Sequence, residues 1–183
     1  MHRQTKNLII RDLNLDDVEA CFAFRSHPDV TMWMPFDDQT THDTEAWLQA
    51  EIQVNNATPR QVHSSAIVYK DNHHVIGWVV VDLPAEEKQK YGDYILGFCL
   101  HPDYWGQGLT TEALIIAIDF CFTETNADSL FAECHSFNAV GSRVCENAGM
   151  KKYRYFREGE HTLITFRLEK DQWDAKRIRK YRA

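Results

Sequence analysis

The sequence lacks the patterns by which several functional classes are recognised. None of its five cysteines belongs to a Cys-x-x-Cys pair, and its nine histidines include no His-Glu-x-x-His or other metal-ligand spacing, so we predict no metal site. No apolar stretch approaches the roughly 18 residues of a membrane-spanning helix, and no signal peptide follows Met1. We therefore expect a cytoplasmic protein with no membrane partner.

Acidic residues outnumber basic ones, which argues against a general nucleic-acid binder. The 183 residues include 27 Asp or Glu and 20 Lys or Arg, a net charge of −7. This balance favours cationic partners such as amines, and we expect no nucleic-acid partner. The cysteines are odd in number and lie inside apolar runs, which indicates reduced core thiols. The length suits one domain over residues 1–183, and the oligomeric state stays open, with a homodimer as one option.

The most informative stretch runs from a strand through a tight loop into a helix. Tyr94–Leu100 is apolar and rich in aromatic and branched side chains, as in a buried strand. Gly106 and Gly108 allow a sharp turn, and Leu109–Phe122 is apolar almost all round, which predicts a buried helix. Free N–H groups at the start of that helix form an anion site. A lone Gly-x-Gly is more often a plain turn, and neither the Lys-Ser/Thr pair of a P-loop nor the third glycine of the dinucleotide fingerprint follows.

Three segments of this stretch carry a more specific resemblance. They are Gly97-Phe98, then His101-Pro-Asp-Tyr-Trp-Gly-Gln-Gly108, then Thr111-Glu-Ala-Leu114. Together they resemble motif A of the GNAT acetyltransferases, in the branch that includes the ribosomal-protein N-terminal acetyltransferases. The resemblance implies transfer of an acetyl group from acetyl-CoA, as cosubstrate, to a primary amine. A protein N-terminal amine is then one candidate acceptor.

The remaining elements predict an α/β fold. Their order, β-α-α-β-β-β-α-β-α-β-β, gives a mixed sheet with helices on both faces, and the resemblance implies the same order as a GNAT fold with a mostly antiparallel central sheet. Asp29–Thr41 is loop-like, and its aromatic and acidic residues either line a pocket or cover the core. The basic tail, Trp173–Ala183, is interpreted as solvated, with contact to an acidic partner as the alternative. The predicted strands are Asn7–Leu13, Ser65–Tyr69, Val75–Val81, Tyr94–Leu100, Ser129–His135, Lys151–Arg157 and His161–Leu168; the helices run from Asn14 or Asp16 to His27, from Asp43 or Thr44 to Val54, and over Leu109–Phe122 and Asn138–Ala148; Pro84–Lys90 is a charged connection.

A second matching region, from Asn138 to Met150, departs from the family pattern at two positions. The family serine falls on Gly141, and Ser142 comes one residue late, a slip that turns a side chain by about 100° on a helix. Many GNAT enzymes have a tyrosine general acid where this chain has Cys145. The leaving thiolate would take its proton from Ser142, Cys145 or water. Asn138 either orients the coenzyme or a water, or is simply an N-cap. The residues that match are Asn138, Val144, Glu146 and Gly149.

The resemblance also implies how the coenzyme is held. Backbone N–H groups from Trp105 to Thr110 bind the diphosphate. Gln107 adds no charge where relatives often carry Lys or Arg, and Arg143 either supplies one or is an ordinary surface residue. The edge of the central strand pairs with the pantetheine arm, and an N–H near Cys99 polarises the thioester, which is worth about 3 kcal/mol in other enzymes. The predicted coenzyme-binding residues are Phe98, Cys99, Leu100, Trp105, Gly106, Gln107, Gly108, Leu109, Thr110, Asn138 and Arg143.

The acceptor amine must lose a proton before it attacks. A lysine-like amine has a pKa of about 10.4, so a base or a water chain is required. Asp93 shares a strand face with Cys99, whereas the slot where many relatives carry Glu holds Ile95. The other candidate bases are Glu133, His135 and Glu160, and a structural role is the alternative for each. The catalytic candidates are thus Asn138, Ser142, Asp93 and Cys145.

Two other functions stay open on the sequence alone. The acceptor is then a small amine, such as a polyamine or an aminoglycoside, or the chain is a non-catalytic acyl-CoA-binding module, which the departures at Gly141 and Cys145 favour. The identity of the acceptor depends on two loops that the resemblance does not constrain, Val30–Thr41 and Ala85–Tyr91.

Overall fold

The computed structural model describes residues 1–38, 40–82 and 93–181. The strands are β1 Arg3–Gln4, β2 Leu8–Asp12, β3 Val62–Tyr69, β4 Val75–Asp82, β5 Asp93–Leu100, β6 Ser129–His135, β7 Lys151–Glu158 and β8 His161–Glu169; the α-helices are α1 Val18–Arg25, α2 Pro28–Thr31, α3 Thr41–Asn55, α4 Leu109–Glu124, α5 Ala139–Asn147 and α6 Lys176–Arg179.

The strands form one eight-stranded sheet in the order β1-β2-β3-β4-β5-β6-β8-β7. Among the described pairs, β5 and β6 alone run parallel, and the others are antiparallel. Parallel neighbours require a crossover, which α4 provides between β5 and β6. The predicted mixed, mostly antiparallel sheet is confirmed.

Helices cover both faces of this sheet. On one face α4 packs with all but a few of its side chains buried, because residues Leu114–Ile118 are apolar on every side. On the other face α1 and α3 cover Ala66, Trp78 and Cys99. Alternation along β4 separates the two cores, since Val79 and Val81 join the first and Trp78 the second. The central strands are therefore buried on both sides.

Local capping explains where the structure differs from the expected elements. The loop expected from Asp29 begins with the short helix α2, because Pro28 occupies its first turn and the ring of His27 accepts a hydrogen bond from the Asp29 N–H. Helix α3 begins at Thr41, two or three residues early, because Thr40 and Asp43 form a capping box. Pro84–Lys90 and Ala85–Tyr91 lie outside the described residues.

Residues 173–181 of the basic tail are docked on the protein by apolar side chains, while Lys176, Arg177, Arg179 and Lys180 are exposed to solvent, as the sequence predicted. Ile178 is buried against α4, and the Trp173 ring contacts Phe122. The Lys6 N–H donates to the Tyr181 carbonyl at 2.8 Å. Apolar residues at two points of the tail thus hold its charged residues at a fixed place on the surface.

The described residues include no group of three or more His, Cys, Asp or Glu side chains placed to hold a metal ion. Within the same residues, no helix has the length and apolar character to cross a membrane. Cys21, Cys99, Cys121 and Cys145 are buried free thiols, and Cys134 is half-buried.

Candidate active site

A wedge opens in the middle of the sheet where β5 and β6 separate. Their parallel pairing runs from Asp93–Ser129 to Leu96–Ala132 and stops there. Beyond that point β5 continues against β4 and β6 continues against β8. A cavity of about 620 Å³ fills the gap. It is lined by Val30, Trp33, Met34, Phe98, Cys99, Leu100, Trp105, Gly106, Gly108, Thr110, Thr111, Phe137, Asn138, Ala139, Val140, Gly141, Arg143, Val144 and Asn147.

The alternation of backbone groups along β5 determines which of its amides face the wedge. The His101 N–H donates to Ile76 of the β4 side at 2.8 Å. Because backbone groups alternate along a strand, the Cys99 N–H also points to β4, and those of Phe98 and Leu100 point to the gap. The Leu100 carbonyl is occupied by the indole N–H of Trp105 at 2.7 Å. The N–H expected near Cys99 therefore belongs to Phe98 or Leu100, one residue away.

The loop before α4 presents unpaired amides to the same cavity. Gly106 and Gly108 have φ of 74° and 79°, a left-handed conformation that a side chain disfavours. A Cβ at either position would meet nothing within 4 Å, so conformation alone requires glycine here. No side chain caps the start of α4. Its first N–H groups and its dipole are thus available to an anion.

A carboxylate in the first turn of α4 does not oppose this anion site directly. Glu112 is 2% exposed. Its two oxygens accept hydrogen bonds from the backbone N–H and the side-chain amide of Asn7, at 3.2 and 2.8 Å. Glu112 therefore ties α4 to the start of β2 and is directed away from the glycine loop.

Nine of the eleven predicted coenzyme-binding residues line the cavity. The exceptions are Gln107 and Leu109. The Gln107 side chain donates to the Asp103 carbonyl at 3.1 Å, and the Leu109 side chain is buried in the core, so each can contribute its backbone only. Arg143, which is exposed, is the one charged residue among the described lining residues.

Asn138 caps helix α5 at the edge of the cavity. Its side-chain oxygen accepts a hydrogen bond from the Gly141 N–H at 2.7 Å. A Cβ on Gly141 would lie 2.9 Å from the Asn138 side-chain nitrogen. The amide of Asn138 thus occupies the space that a side chain at position 141 requires.

Ser142 and Cys145 lie outside the cavity lining. The Ser142 hydroxyl is 3.4 Å from the Cys134 sulfur, beneath α5 and against β6. Cys145 has no exposed surface, and burial raises the pKa of its thiol. The structure therefore does not bring these two catalytic candidates together with Asn138 at the cavity.

The candidate bases are placed differently from one another. Asp93 begins β5 at the closed end of the wedge, and its side chain lies outside the described part of the chain. Glu133 accepts from the Thr165 hydroxyl at 3.3 Å, and Glu160 is exposed in the β7–β8 turn. The His135 ring lies at the open end of the wedge and contacts the ring of Trp33, which lines the cavity.

His135 forms a hydrogen-bonded pair with His161. The His135 Nε2 and the His161 Nδ1 are 3.1 Å apart. The Phe137 N–H donates to the His135 Nδ1 at 3.4 Å, so the Nε2 carries the proton towards His161 in the neutral pair. Two imidazoles at the open end of the cavity thus provide a route between it and solvent.

Exposed apolar side chains surround the same open end. Phe137 is 80% exposed and Val140 is 60% exposed, and both line the cavity. Val30, Trp33 and Met34 line the opposite wall, as one of the two interpretations of the Asp29–Thr41 loop expected. Phe137 and Val140 were not predicted as site residues from the sequence. The sequence did contain a signal for them: one apolar residue on each side of the helix start Asn138-Ala139, where polar, solvated residues are usual.

The sequence matches a known family. The model of the acetyltransferase (GNAT) domain matches residues 7–151. The chain belongs to the GNAT acetyltransferases. It is an enzyme that uses acetyl-CoA as its cosubstrate, as the resemblance of its glycine loop implied.

Relatives and solved structures agree with this assignment. The chain is 25% identical over 160 residues to an uncharacterized N-acetyltransferase, YnaD, of Bacillus subtilis strain 168, with 86% of this chain and 87% of that protein covered. A ribosomal L7/L12 alpha-N-protein acetyltransferase, RimL, in complex with coenzyme A has a TM-score of 0.78 at 11% identity, with 93% and 98% covered. The aminoglycoside acetyltransferase AAC(6')-Ib in complex with coenzyme A has a TM-score of 0.76 at 14% identity, with 94% and 99% covered. The last two comparisons show the shared fold.

Proposed function

We propose that this acetyltransferase modifies the N-terminal amine of a polypeptide. The observation that carries the proposal is the character of the cavity. Its described lining is aromatic and aliphatic at the open end, and its one charged residue is Arg143. A polyamine or an aminoglycoside carries several positive charges and requires carboxylates around it. A peptide N-terminus brings one amine beside a side chain that apolar surfaces can hold.

The coenzyme is placed by the amides that face the wedge. The diphosphate lies on the amides of Gly106 to Thr110, at the positive end of α4. The Trp105 N–H, which the sequence included among these donors, instead donates to the Pro102 carbonyl at 2.9 Å. The pantetheine arm runs between β5 and β6 and pairs with Phe98 and Leu100 as an added strand. The thioester then lies between the Leu100 amide and Asn138. In this placement the acetyl group faces the open end of the cavity.

The reaction is an acyl transfer between sulfur and nitrogen. The neutral amine attacks the thioester carbon, and the oxygen gathers negative charge that a β5 amide stabilises. The carbon–sulfur bond breaks, and coenzyme A leaves as a thiolate. Because Ser142 and Cys145 lie outside the lining, water at the open wedge protonates that thiolate. The proton released by the amine passes through water to the His135 Nδ1, which gives up its hydrogen bond from the Phe137 N–H, and the His135 Nε2 proton passes to the His161 Nδ1.

Two of the proposed relatives support different acceptors. RimL is a ribosomal L7/L12 alpha-N-protein acetyltransferase, and AAC(6')-Ib is an aminoglycoside acetyltransferase. A small-amine acceptor is therefore the second candidate.

Thiol release from acetyl-CoA, measured with a panel of acceptors, separates these candidates. The panel contains peptides of varied first residue, their N-terminally blocked forms, spermidine and an aminoglycoside. We expect turnover with free peptides and none with blocked ones. Turnover with the small amines alone would overturn the proposed acceptor, and turnover with none of the panel would rule out both candidate acceptors.

A further inference from the structure

A second cavity lies beside the first and is lined mostly by residues of the basic tail. It has a volume of about 380 Å³, and its lining consists of Ile115, Asn147, Asp174, Lys176, Arg177, Lys180 and Tyr181. Asn147 lines both cavities. The second cavity therefore lies next to the first, with Asn147 between them.

The two helices fix the distance between the cavities. Ile115 is six residues beyond the start of α4, which corresponds to about 9 Å along the helix. Asn147 is one turn beyond Arg143 on the same face of α5. Helix α4 begins at the proposed diphosphate site and α5 begins beside the proposed thioester site, and both helices lead to the second cavity. An extended group attached to that diphosphate thus has a direct path to the tail.

The charge of the second cavity contrasts with that of the whole chain. The net charge is −7, yet four of the five residues 176–180 are Lys or Arg. Lys176 and Lys180 are exposed, and neither forms an ion pair with any described carboxylate. The Asp174 carboxylate accepts a hydrogen bond from the Lys176 N–H at 2.9 Å, as a turn cap. Two lysine ammonium groups therefore have no described carboxylate partner.

The remaining residues hold these lysines in position. The Arg177 guanidinium donates to the Asn147 carbonyl at 2.9 Å and packs over Gly149. Ile178 is 7% exposed and anchors α6 to the core. Arg177 is thus structural, whereas Lys176 and Lys180 flank the cavity from a docked helix.

We propose that Lys176 and Lys180 bind the 3′-phosphate of coenzyme A in this cavity. A phosphomonoester carries about −1.5 to −2 charges at neutral pH, and ammonium groups bind it through charge-assisted hydrogen bonds. The tail supplies the charge that Gln107 does not supply at the glycine loop. This inference rests on the proposed placement of the coenzyme and is independent of the acceptor.

The test compares coenzyme A with 3′-dephospho-coenzyme A by calorimetric titration of the full chain. We expect the wild-type protein to bind coenzyme A about tenfold more tightly, in line with two exposed charge-assisted contacts. In the Lys176→Ala/Lys180→Ala variant this preference is lost, and the affinity for the dephospho form is unchanged. Arg179→Ala is the matched control, because Arg179 lies on the same helix outside the cavity lining and leaves the preference intact.

Two results would overturn the inference. One is an undiminished preference for the 3′-phosphate in the double lysine variant. The other is an equal loss of affinity for coenzyme A and its dephospho form. That result would mean that the lysines contribute to folding or to the overall electrostatic field and do not contact the 3′-phosphate. The charge-conserving variant Lys176→Arg/Lys180→Arg retains the preference if the inference holds. A failure of the proposed function has a different signature, since it abolishes acetyl transfer to peptides while the phosphate preference is unaffected.

Discussion

The side-chain oxygen of Asn138 accepts a hydrogen bond from the Gly141 N–H at 2.7 Å, and the Asn138 amide fills the space above Gly141. This contact accounts for a departure from the family pattern. A serine at position 141 would place its Cβ 2.9 Å from the Asn138 side-chain nitrogen. The chain thus combines a glycine in the first turn of α5 with an asparagine directed onto it.

Gly141→Ser is therefore expected to weaken the enzyme. Serine is a better helix former than glycine by a few tenths of a kcal/mol, so a free site would gain stability. Here the serine displaces the Asn138 side chain, so α5 loses its N-cap, which costs about 1 kcal/mol. The KM for acetyl-CoA rises as well. Denaturant unfolding and steady-state kinetics measure both effects. Ala139→Ser adds the same hydroxyl at an exposed position of the same helix and should change stability little; stabilisation by Gly141→Ser would contradict the account.

Gly108→Ala is expected to raise the KM for acetyl-CoA at least tenfold. The left-handed φ of 79° costs about 1–2 kcal/mol with a side chain, and relief of that strain turns the amides away from the diphosphate. Gly159→Ala is the matched control, because Gly159 has a φ of 58° and does not line the cavity. Both variants lose stability, and only the first loses coenzyme affinity. Equal KM values for the two variants would argue against the loop as the diphosphate site.

Arg25 and Asp38 form a buried ion pair next to the cavity wall that consists of Val30, Trp33 and Met34. The guanidinium donates to both Asp38 oxygens at 2.7 and 2.6 Å and lies between the rings of Phe36 and Trp47. Burial raises the pKa of Asp38, but the hydrogen bonds from Arg25 and Thr44 outweigh it and lower the pKa overall. The pair thus ties the segment that contains Trp33 and Met34 to helix α1.

Asp38→Asn is expected to destabilise the protein by about 3 kcal/mol, because it leaves a buried guanidinium without a counter-charge. The KM for the acceptor should rise more than the KM for acetyl-CoA, since Trp33 and Met34 lose their anchor. Urea unfolding and kinetics with both substrates report the two effects. Glu19→Gln, at an exposed position of α1, should stay within about 0.5 kcal/mol. An Asp38→Asn variant as stable as Glu19→Gln would refute a structural role for the pair.

Particular residues show how far the sequence predicts this structure. The strong signals were long and local: the apolar run of α4, the glycine loop and the alternating strands all appear close to where they were expected. The orientation of single side chains was not predictable, because a slip of one residue directs Ser142 to Cys134 instead of the cavity. The docking of the tail depends on Ile178 and Trp173, which meet α4 only after the fold is assembled. Local patterns determine elements, and long-range packing determines which polar groups reach the site.

His135→Gln should reduce kcat/KM for a peptide by about 10² or more, within the usual range for loss of a general base. The effect should be in kcat, because the glutamine keeps a polar group beside Trp33. Glu133→Gln and Glu160→Gln are controls that remove the other described candidate bases and should retain most of the activity. A pH–rate profile for wild type and His135→Gln separates a base from a packing residue. A larger loss in either control would reassign the base.

His63 makes the stability of the fold sensitive to acid. Burial, with the positive charge of Arg60, lowers its pKa from 6.5 to about 4. Its ring packs against Phe120, and its Nδ1 has no hydrogen-bond partner among the described residues. Between pH 6.5 and 4 the unfolded chain therefore binds a proton that the folded chain does not, so the free energy of unfolding falls as the pH falls.

His63→Leu should flatten this dependence by about 1–2 kcal/mol between pH 7 and pH 4, a value reduced for the partial exposure of the ring. Urea titrations at a series of pH values measure it. His42→Leu removes an exposed imidazole and should leave the slope unchanged. Parallel slopes for wild type and His63→Leu would show that His63 is not responsible.

The placement of the coenzyme is tested most directly by a nuclear magnetic resonance titration of the 15N-labelled protein with coenzyme A. The account predicts that the largest amide shifts occur at Gly106, Gly108 and Thr110 and at Phe98 and Leu100, with the Cys99 amide, bonded to β4, changing less. Saturable binding with those five amides unmoved, and with the largest shifts on another part of the surface, would contradict it.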